Sequence, residues 1–229
     1  MVPTYSRRRP GSPSNGFLGS ALIISKGWRN DAMTTQTFAG SKAVLRRSAL
    51  ARRSLVEPSV RAAFSARVAA EGLRLALHLR PRAISAFHPV RDEPDTLALL
   101  EALAGAGFAT ALPVTVSRAS PLTFRLWRPG EATIVGELNI PEPLSHSPAV
   151  EPDLLFVPLA AFDRRGHRIG FGAGHYDRTL AQLRARGPVC AVGVAFGVSE
   201  VEAAPDEPHD EPLDFILTEN EWIDARGIR

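Results

Sequence analysis

Residues 153–180 read "DLLFVPLAAFDRRGHRIGFGAGHYDRTL". The opening "DLLFVPL" (153–159) has a continuous apolar core, the pattern of a strand covered on both faces. The far end enters a helix, "HYDRTLAQLRARG" (175–187). Between them, residues 163–180 hold four glycines, four arginines, two aspartates and a tyrosine. Such a stretch buries little apolar surface, so filling a core is not its purpose. Strand, glycine-rich loop and helix start together form an arrangement that binds phosphate. Glycines let backbone N–H groups approach an anion, and the helix directs its positive dipole end at it. Gly170, Gly172 and Gly174 would form the cradle, and Arg168 can offer a planar fork of donors. Asp177 falls on the first helical turn and is a candidate magnesium partner, since magnesium takes one or two carboxylates plus phosphate oxygens and water. A glycine turn that merely permits tight strand–helix packing would use the same residues, and spacing alone does not separate the two. The familiar nucleotide fingerprints do not fit. No lysine follows as a P-loop requires, and the spacing is G-x-G-x-G where a dinucleotide site has G-x-G-x-x-G.

Working outward, "SKAVLRRSALARRSLV" (41–56) predicts a helix with Ser41 as N-cap, and Pro58 opens a second. There Val60, Phe64, Val68, Leu75 and Leu79 recur at helical spacing. "AISAFHPV" (83–90) reads as a strand. A helix follows, with Asp95 or Thr96 near its cap and Gly105/Gly107 as its stop. Further strands are expected at 108–115, 122–127, 189–196 and 213–218, with an irregular Pro/Gly-rich connection over 128–152. Alternating strands and helices predict a three-layer α/β/α fold with a central, mainly parallel or mixed sheet and a helical N-terminal part. Such folds place ligands beyond the carboxyl ends of their strands.

The chain has 229 residues and a net charge of +3, with no apolar run long enough to span a bilayer. Residues 1–82 carry 15 Lys/Arg against 3 Asp/Glu, and the remainder carries 12 against 21. A basic half can serve nucleic acid or form a solvated helical face that attracts the acidic remainder. The absence of aromatic interleaving and of a nucleic-acid motif favours the second. Cys190, the single cysteine, excludes an internal disulfide and a cysteine zinc cluster, and its apolar setting "VCAVGVAF" reads as a buried thiol. Residues 1–40 are expected to be a disordered extension or a mis-assigned start, with Met33 as the alternative true start and a transit peptide left open. Residues 41–229 then form one domain.

The run from 153 to 180 resembles the signature of the 5-formyltetrahydrofolate cyclo-ligases, F-D-x-x-G-x-R-hydrophobic-G-aromatic-G-x-G-x-Y-D. Phe162, Asp163, Gly166, Arg168, Ile169, Gly170, Gly172, Gly174, Tyr176 and Asp177 match it. "KAVLR" (42–46), "DEPDT" with Glu93, "NIPEP" (139–143) and "HDEPLDFILTE" (209–219) resemble further landmarks in the expected order. The departures are His175 in place of a first tyrosine, Phe171, and "GVSEV" after Phe196, where a glutamine is usual.

The resemblance implies an ATP- and magnesium-dependent cytoplasmic enzyme that acts on reduced folate. It would be a monomer or weak homo-oligomer, without nucleic-acid or membrane partners. It implies Lys42 and Arg168 as catalytic residues. Lys42, Ala43, Val44, Leu45 and Arg46, with Arg168, Ile169, Gly170, Phe171, Gly172, Ala173, Gly174, His175 and Tyr176, would bind ATP. His88, Glu93 and Tyr176 would bind folate, and Asp177 and Asp210 would anchor magnesium. A nucleotide-binding relative without ligase activity is the alternative.

Overall fold

A computed structural model describes residues 34–227; for residues 34–41 the description is limited to the backbone. Among the described residues there are four α-helices, α1 (Thr34–Ser54), α2 (Pro58–Leu79), α3 (Leu97–Gly105) and α4 (His175–Arg184). The strands are β1 (Ile84–Ser85), β2 (Thr110–Val114), β3 (Thr123–Leu126), β4 (Thr133–Val135), β5 (Pro141–Pro143), β6 (Leu154–Pro158), β7 (Ala161–Phe162), β8 (Arg168–Ile169), β9 (Cys190–Val194), β10 (Phe215–Leu217) and β11 (Trp222–Asp224).

Seven strands form one sheet in the order β11-β10-β9-β6-β1-β2-β3. The five central strands run parallel, and the edge strands β3 and β11 are antiparallel to their neighbours. Side chains alternate across this sheet. Along β6, Leu154 and Phe156 point to a layer with Phe64, Val68 and Leu75 of α2 and Leu99, Leu100 and Leu103 of α3. Leu155 and Val157 point to the opposite layer, with Leu180 and Leu183 of α4. The expected three-layer architecture is therefore present, and Cys190 is buried within the first layer.

β1 pairs with β2 on one side and β6 on the other. The chain thus leaves β1 in one direction through α3 and later returns to its other flank. This is the switch point at which open α/β sheets leave a crevice beyond the strand ends. The strand expected over 83–90 pairs only at Ile84 and Ser85, because Phe87 and His88 leave the sheet to line that crevice.

Three further differences have physical causes. The N-cap expected at Ser41 is corrected: no proline interrupts residues 34–57, and α1 already runs from Thr34. The stretch expected to be irregular contains the hairpin β4–β5, which buries Glu142 against the Thr115 N–H at 3.0 Å. The polar turn "DRRGHR" is the tip of the hairpin β7–β8. The expectations for residues 1–33 lie outside the described residues.

Candidate active site

The β7–β8 hairpin is built around Asp163, whose carboxylate is buried and is fed by four groups. It accepts the N–H of Arg165 at 2.9 Å, of Ala204 at 3.0 Å and of His167 at 3.2 Å, and Arg165 Nη2 lies at 2.7 Å. Gly166 closes the tip at φ +88, where a Cβ would stand 2.6 Å from the Leu213 carbonyl oxygen. This turn sends Arg168 inward. Its side chain is 4% exposed, its Nη2 donates to Asp177 Oδ1 at 2.6 Å, and its Nη1 donates to the Glu211 carbonyl.

The loop that follows is gripped by its carbonyls. Arg46 Nε donates to Gly170 O at 2.6 Å from the α1 side, and Arg178 Nη2 donates to Ala173 O at 2.6 Å from the α4 side. The amides of Phe171, Gly172, Ala173 and Gly174 donate no hydrogen bond among the described residues. Gly172 has φ +101, and Gly174 caps α4 at φ +65, conformations that a side chain would strain. The result is a run of unused N–H donors ahead of a helix N-terminus.

Lys42 lies close by. Its ammonium donates to Asp210 Oδ2 at 2.8 Å and stands 3.6 Å from Glu207 Oε1. Asp210 also acts electrostatically on Arg168, so both expected magnesium carboxylates flank that guanidinium. Asp177 uses Oδ1 for Arg168 and the Glu211 N–H, and Asp210 uses Oδ2 for Lys42 and the Glu207 N–H. Among the described residues, each carboxylate keeps its other oxygen free of a hydrogen bond. Oxygen donors of this kind, beside a run of unused backbone amides, suit magnesium. Glu207 and His209 extend the group around Asp210, with His209 Nε2 3.1 Å from Glu207 Oε2.

A cavity of about 500 Å³ opens at the carboxyl ends of β1, β2 and β6. Arg168, Gly170, Phe171, Ala173, Gly174 and Asp177 form one wall, and His88, Glu93 and Arg91 face it, with His175 and Tyr176 between. Glu93 accepts the Val90 N–H at 3.0 Å. Burial pushes its carboxyl up from 4.5 to about 7, against the opposing hydrogen bond and the Arg53 charge. Burial, reinforced by Glu93, also pushes the Tyr176 phenol up, so that it remains a neutral donor.

His175 is buried, with Nδ1 3.0 Å from the Ser120 carbonyl oxygen. A carbonyl only accepts, so Nδ1 carries the proton and clamps α4 to the 117–120 turn. "GVSEV" turns away from the cavity towards α1, where Arg52 Nε donates to Val198 O at 2.7 Å.

Most of the sequence-derived residues line one crevice, while Lys42, Arg46 and Asp210 stand beside it and not in its lining. Ala43, Val44 and Leu45 are the helical spacer between Lys42 and Arg46, and their amides lie inside α1. Ile169 is core, packed with Ala49 and Leu45. Among the lining residues not expected from the sequence, Glu142 and Arg53 carry charge deep in the cavity. Glu142 lies in the "NIPEP" landmark, but no role is read for it there. Arg53 lies on the α1 stripe of Lys42 and Arg46, and that periodicity was the available signal.

A model of the 5-formyltetrahydrofolate cyclo-ligase family matches residues 39–219. The 5-formyltetrahydrofolate cyclo-ligase of Mycolicibacterium smegmatis is 35% identical over 193 residues, covering 81% of this chain and 97% of the relative. The enzyme of the same name from Escherichia coli K12 is 35% identical over 147 residues, 61% of this chain and 80% of the relative. The NMR structure of Aquifex aeolicus 5,10-methenyltetrahydrofolate synthetase superposes with a TM-score of 0.68 at 26% identity, covering 81% of this chain and 93% of that one. The Mycoplasma pneumoniae 5,10-methenyltetrahydrofolate synthetase shares the fold, with a TM-score of 0.60 at 19% identity, over 81% of this chain and 99% of that one. With its signature loop built into a crevice at the switch point of the sheet, this chain belongs to the 5-formyltetrahydrofolate cyclo-ligase family.

Proposed function

We propose that this protein converts 5-formyltetrahydrofolate and ATP into 5,10-methenyltetrahydrofolate, ADP and phosphate in the crevice beyond β1, β2 and β6. One observation carries the reading. The unused amides of Phe171–Gly174 and the buried Arg168–Asp177 pair share a single cavity with the carboxyl of Glu93. An anion site and a heterocycle-binding carboxyl therefore face each other across one space.

The formyl oxygen is a poor leaving group until it is phosphorylated. The γ-phosphoryl passes to it, breaking the bond to the β-phosphate and releasing ADP. N10 then bonds to the activated carbon. The carbon–oxygen bond breaks, and phosphate departs carrying the N10 proton. The protein's contribution is positioning and charge stabilisation, which dominate phosphoryl transfer.

Lys42 and Arg46 neutralise the polyphosphate. The 171–174 amides hold the transferring group, with Arg168 fixed beside them by Asp177. Glu93, with His88 and Tyr176, receives the pterin. Asp177 and Asp210 would hold magnesium, which when bound neutralises phosphate charge and orients the chain. No described helix is long and apolar enough to cross a membrane.

The test is Arg168→Ala against wild type, with ATP, magnesium and 5-formyltetrahydrofolate. We expect the wild type to form the methenyl chromophore and ADP in equal amounts. The variant is expected to lose about 100-fold or more in kcat/KM while its circular dichroism spectrum is retained. Near-native turnover in Arg168→Ala would overturn the assignment of that residue.

A further inference from the structure

Among the described residues two arginines are buried, Arg53 and Arg168, and their situations are opposite. Arg168 has a carboxylate at 2.6 Å and a carbonyl on its other arm. Arg53, 4% exposed on α1, has neither a carboxylate within 4 Å nor a full set of acceptors. Its Nη1 reaches the Leu159 carbonyl only at 3.4 Å, and its Nε has no hydrogen-bond partner. Burial pulls its basicity down, and the charges of Glu93 and Asp92 act on it without forming an ion pair. Glu93, the carboxyl across the cavity, is itself pushed towards its neutral form. A guanidinium desolvated in this way is costly unless an anion arrives to pair with it.

Its position says which anion. Arg53 lines the cavity between Phe171 of the glycine loop, whose ring centroid is 5.8 Å from its Cζ, and Glu93. On an ideal helix, Lys42, Arg46 and Arg53 fall within ~40° of one another, with Arg53 ~10 Å beyond Arg46 along the axis. Lys42 and Arg46 serve the polyphosphate end. Arg53 therefore stands at the far end of the same cationic stripe, on the folate side. A carboxylate on the flexible tail of the substrate would be met at the cavity mouth, whereas Arg53 is almost wholly enclosed.

Resting on the reaction proposed above, we infer that Arg53 is a further catalytic residue. Its guanidinium takes hold of the phosphoryl group as that group settles on the formyl oxygen, and keeps hold until phosphate departs. Arg168, already neutralised, shapes the cradle. Arg53 supplies the charge that the reaction lacks.

The experiment is Arg53→Met in the full chain, alongside Arg53→Lys. We expect Arg53→Met to fold with a Tm equal to or above wild type, because an unpaired buried cation has been removed. Its kcat falls about 100-fold or more, with the KM for ATP and for 5-formyltetrahydrofolate little changed. Added guanidinium, at a non-denaturing concentration, restores part of kcat, and Arg53→Lys retains more turnover than Arg53→Met. Near-native kcat in Arg53→Met overturns the inference. So does a raised folate KM with kcat kept, which would assign Arg53 to a substrate carboxylate. A Tm that falls together with activity also overturns it, by marking a structural arginine. A second readout needs no turnover: inorganic phosphate alone raises the wild-type Tm, and Arg53→Met loses more than half of that shift. If wild type makes no methenyl product yet shows this Arg53-dependent shift, the reaction assignment fails while the anion site stands. An equal phosphate shift in both proteins overturns the anion site itself.

Discussion

Replacing Glu93 with glutamine removes a carboxyl that the fold holds in an unfavourable medium. In the wild type that carboxyl is raised from 4.5 to about 7 by burial. Its folded-state affinity for a proton exceeds that of the unfolded chain. Its contribution to stability is therefore complete below about pH 4.5, declines as pH rises, and is lost above about pH 7. The separation of the two values corresponds to at most about 3 kcal/mol, of which about 2–3 kcal/mol falls between pH 5 and pH 8. Glutamine keeps the shape and does not titrate. The Tm of Glu93→Gln minus that of wild type should thus grow by about 5–10 °C over that interval, at ~2–4 °C per kcal/mol for a domain of this size. Circular dichroism melts of both proteins in one buffer series measure it. A difference that stays constant across the series would refute the reasoning, because the carboxyl would then titrate alike in both states. In the proposed complex the same carboxyl must be ionised for both of its oxygens to accept hydrogen bonds from the pterin. The folate KM of the wild type should accordingly fall as pH rises through about 7, and that dependence should vanish in Glu93→Gln.

Three other predictions follow from single contacts. Asp163→Ala strips the acceptor from three backbone amides and the Arg165 guanidinium, and should cost about 3–5 kcal/mol in urea denaturation. Gly72→Ala sets a Cβ 2.5 Å from Leu99 Cδ1 and 3.0 Å from Phe156 Cζ, where α2 crosses α3 and the sheet. It should destabilise by about 1–3 kcal/mol by the same assay, with turnover per folded molecule unchanged. Lys42→Met removes one proposed phosphate partner and leaves Asp210 without its Lys42 ion pair. The KM for ATP should rise about 10-fold or more in steady-state kinetics while the folate KM stays within a factor of two, corresponding to about 1–2 kcal/mol of charge-assisted contact.

What could be read in advance followed from periodicity and punctuation. β6 was legible because both its faces are buried, and α2 and α3 because their buried residues recur at helical spacing. The glycine loop was legible because glycine and arginine appear where apolar residues should. The hairpins β4–β5 and β7–β8 were not, since strands of two or three residues are too short to show an alternation. β11 follows β10 through a tight turn and lies beyond the last strand expected from the sequence. β1 was over-extended because Phe87 is apolar whether it pairs in a sheet or lines a crevice. Arg53 is the instructive omission. Its helical stripe was visible in the sequence, but its burial without a counter-charge is a property of the packed chain, decided by α1, the glycine loop and the end of β6 together.

The most direct measurement mixes the full chain with ATP, magnesium and 5-formyltetrahydrofolate, and follows ultraviolet absorbance and ADP together. The account predicts a methenyl band that grows in step with ADP, one for one, and fails to appear when ATP is omitted. ADP release without the band, or no change in either, would contradict it.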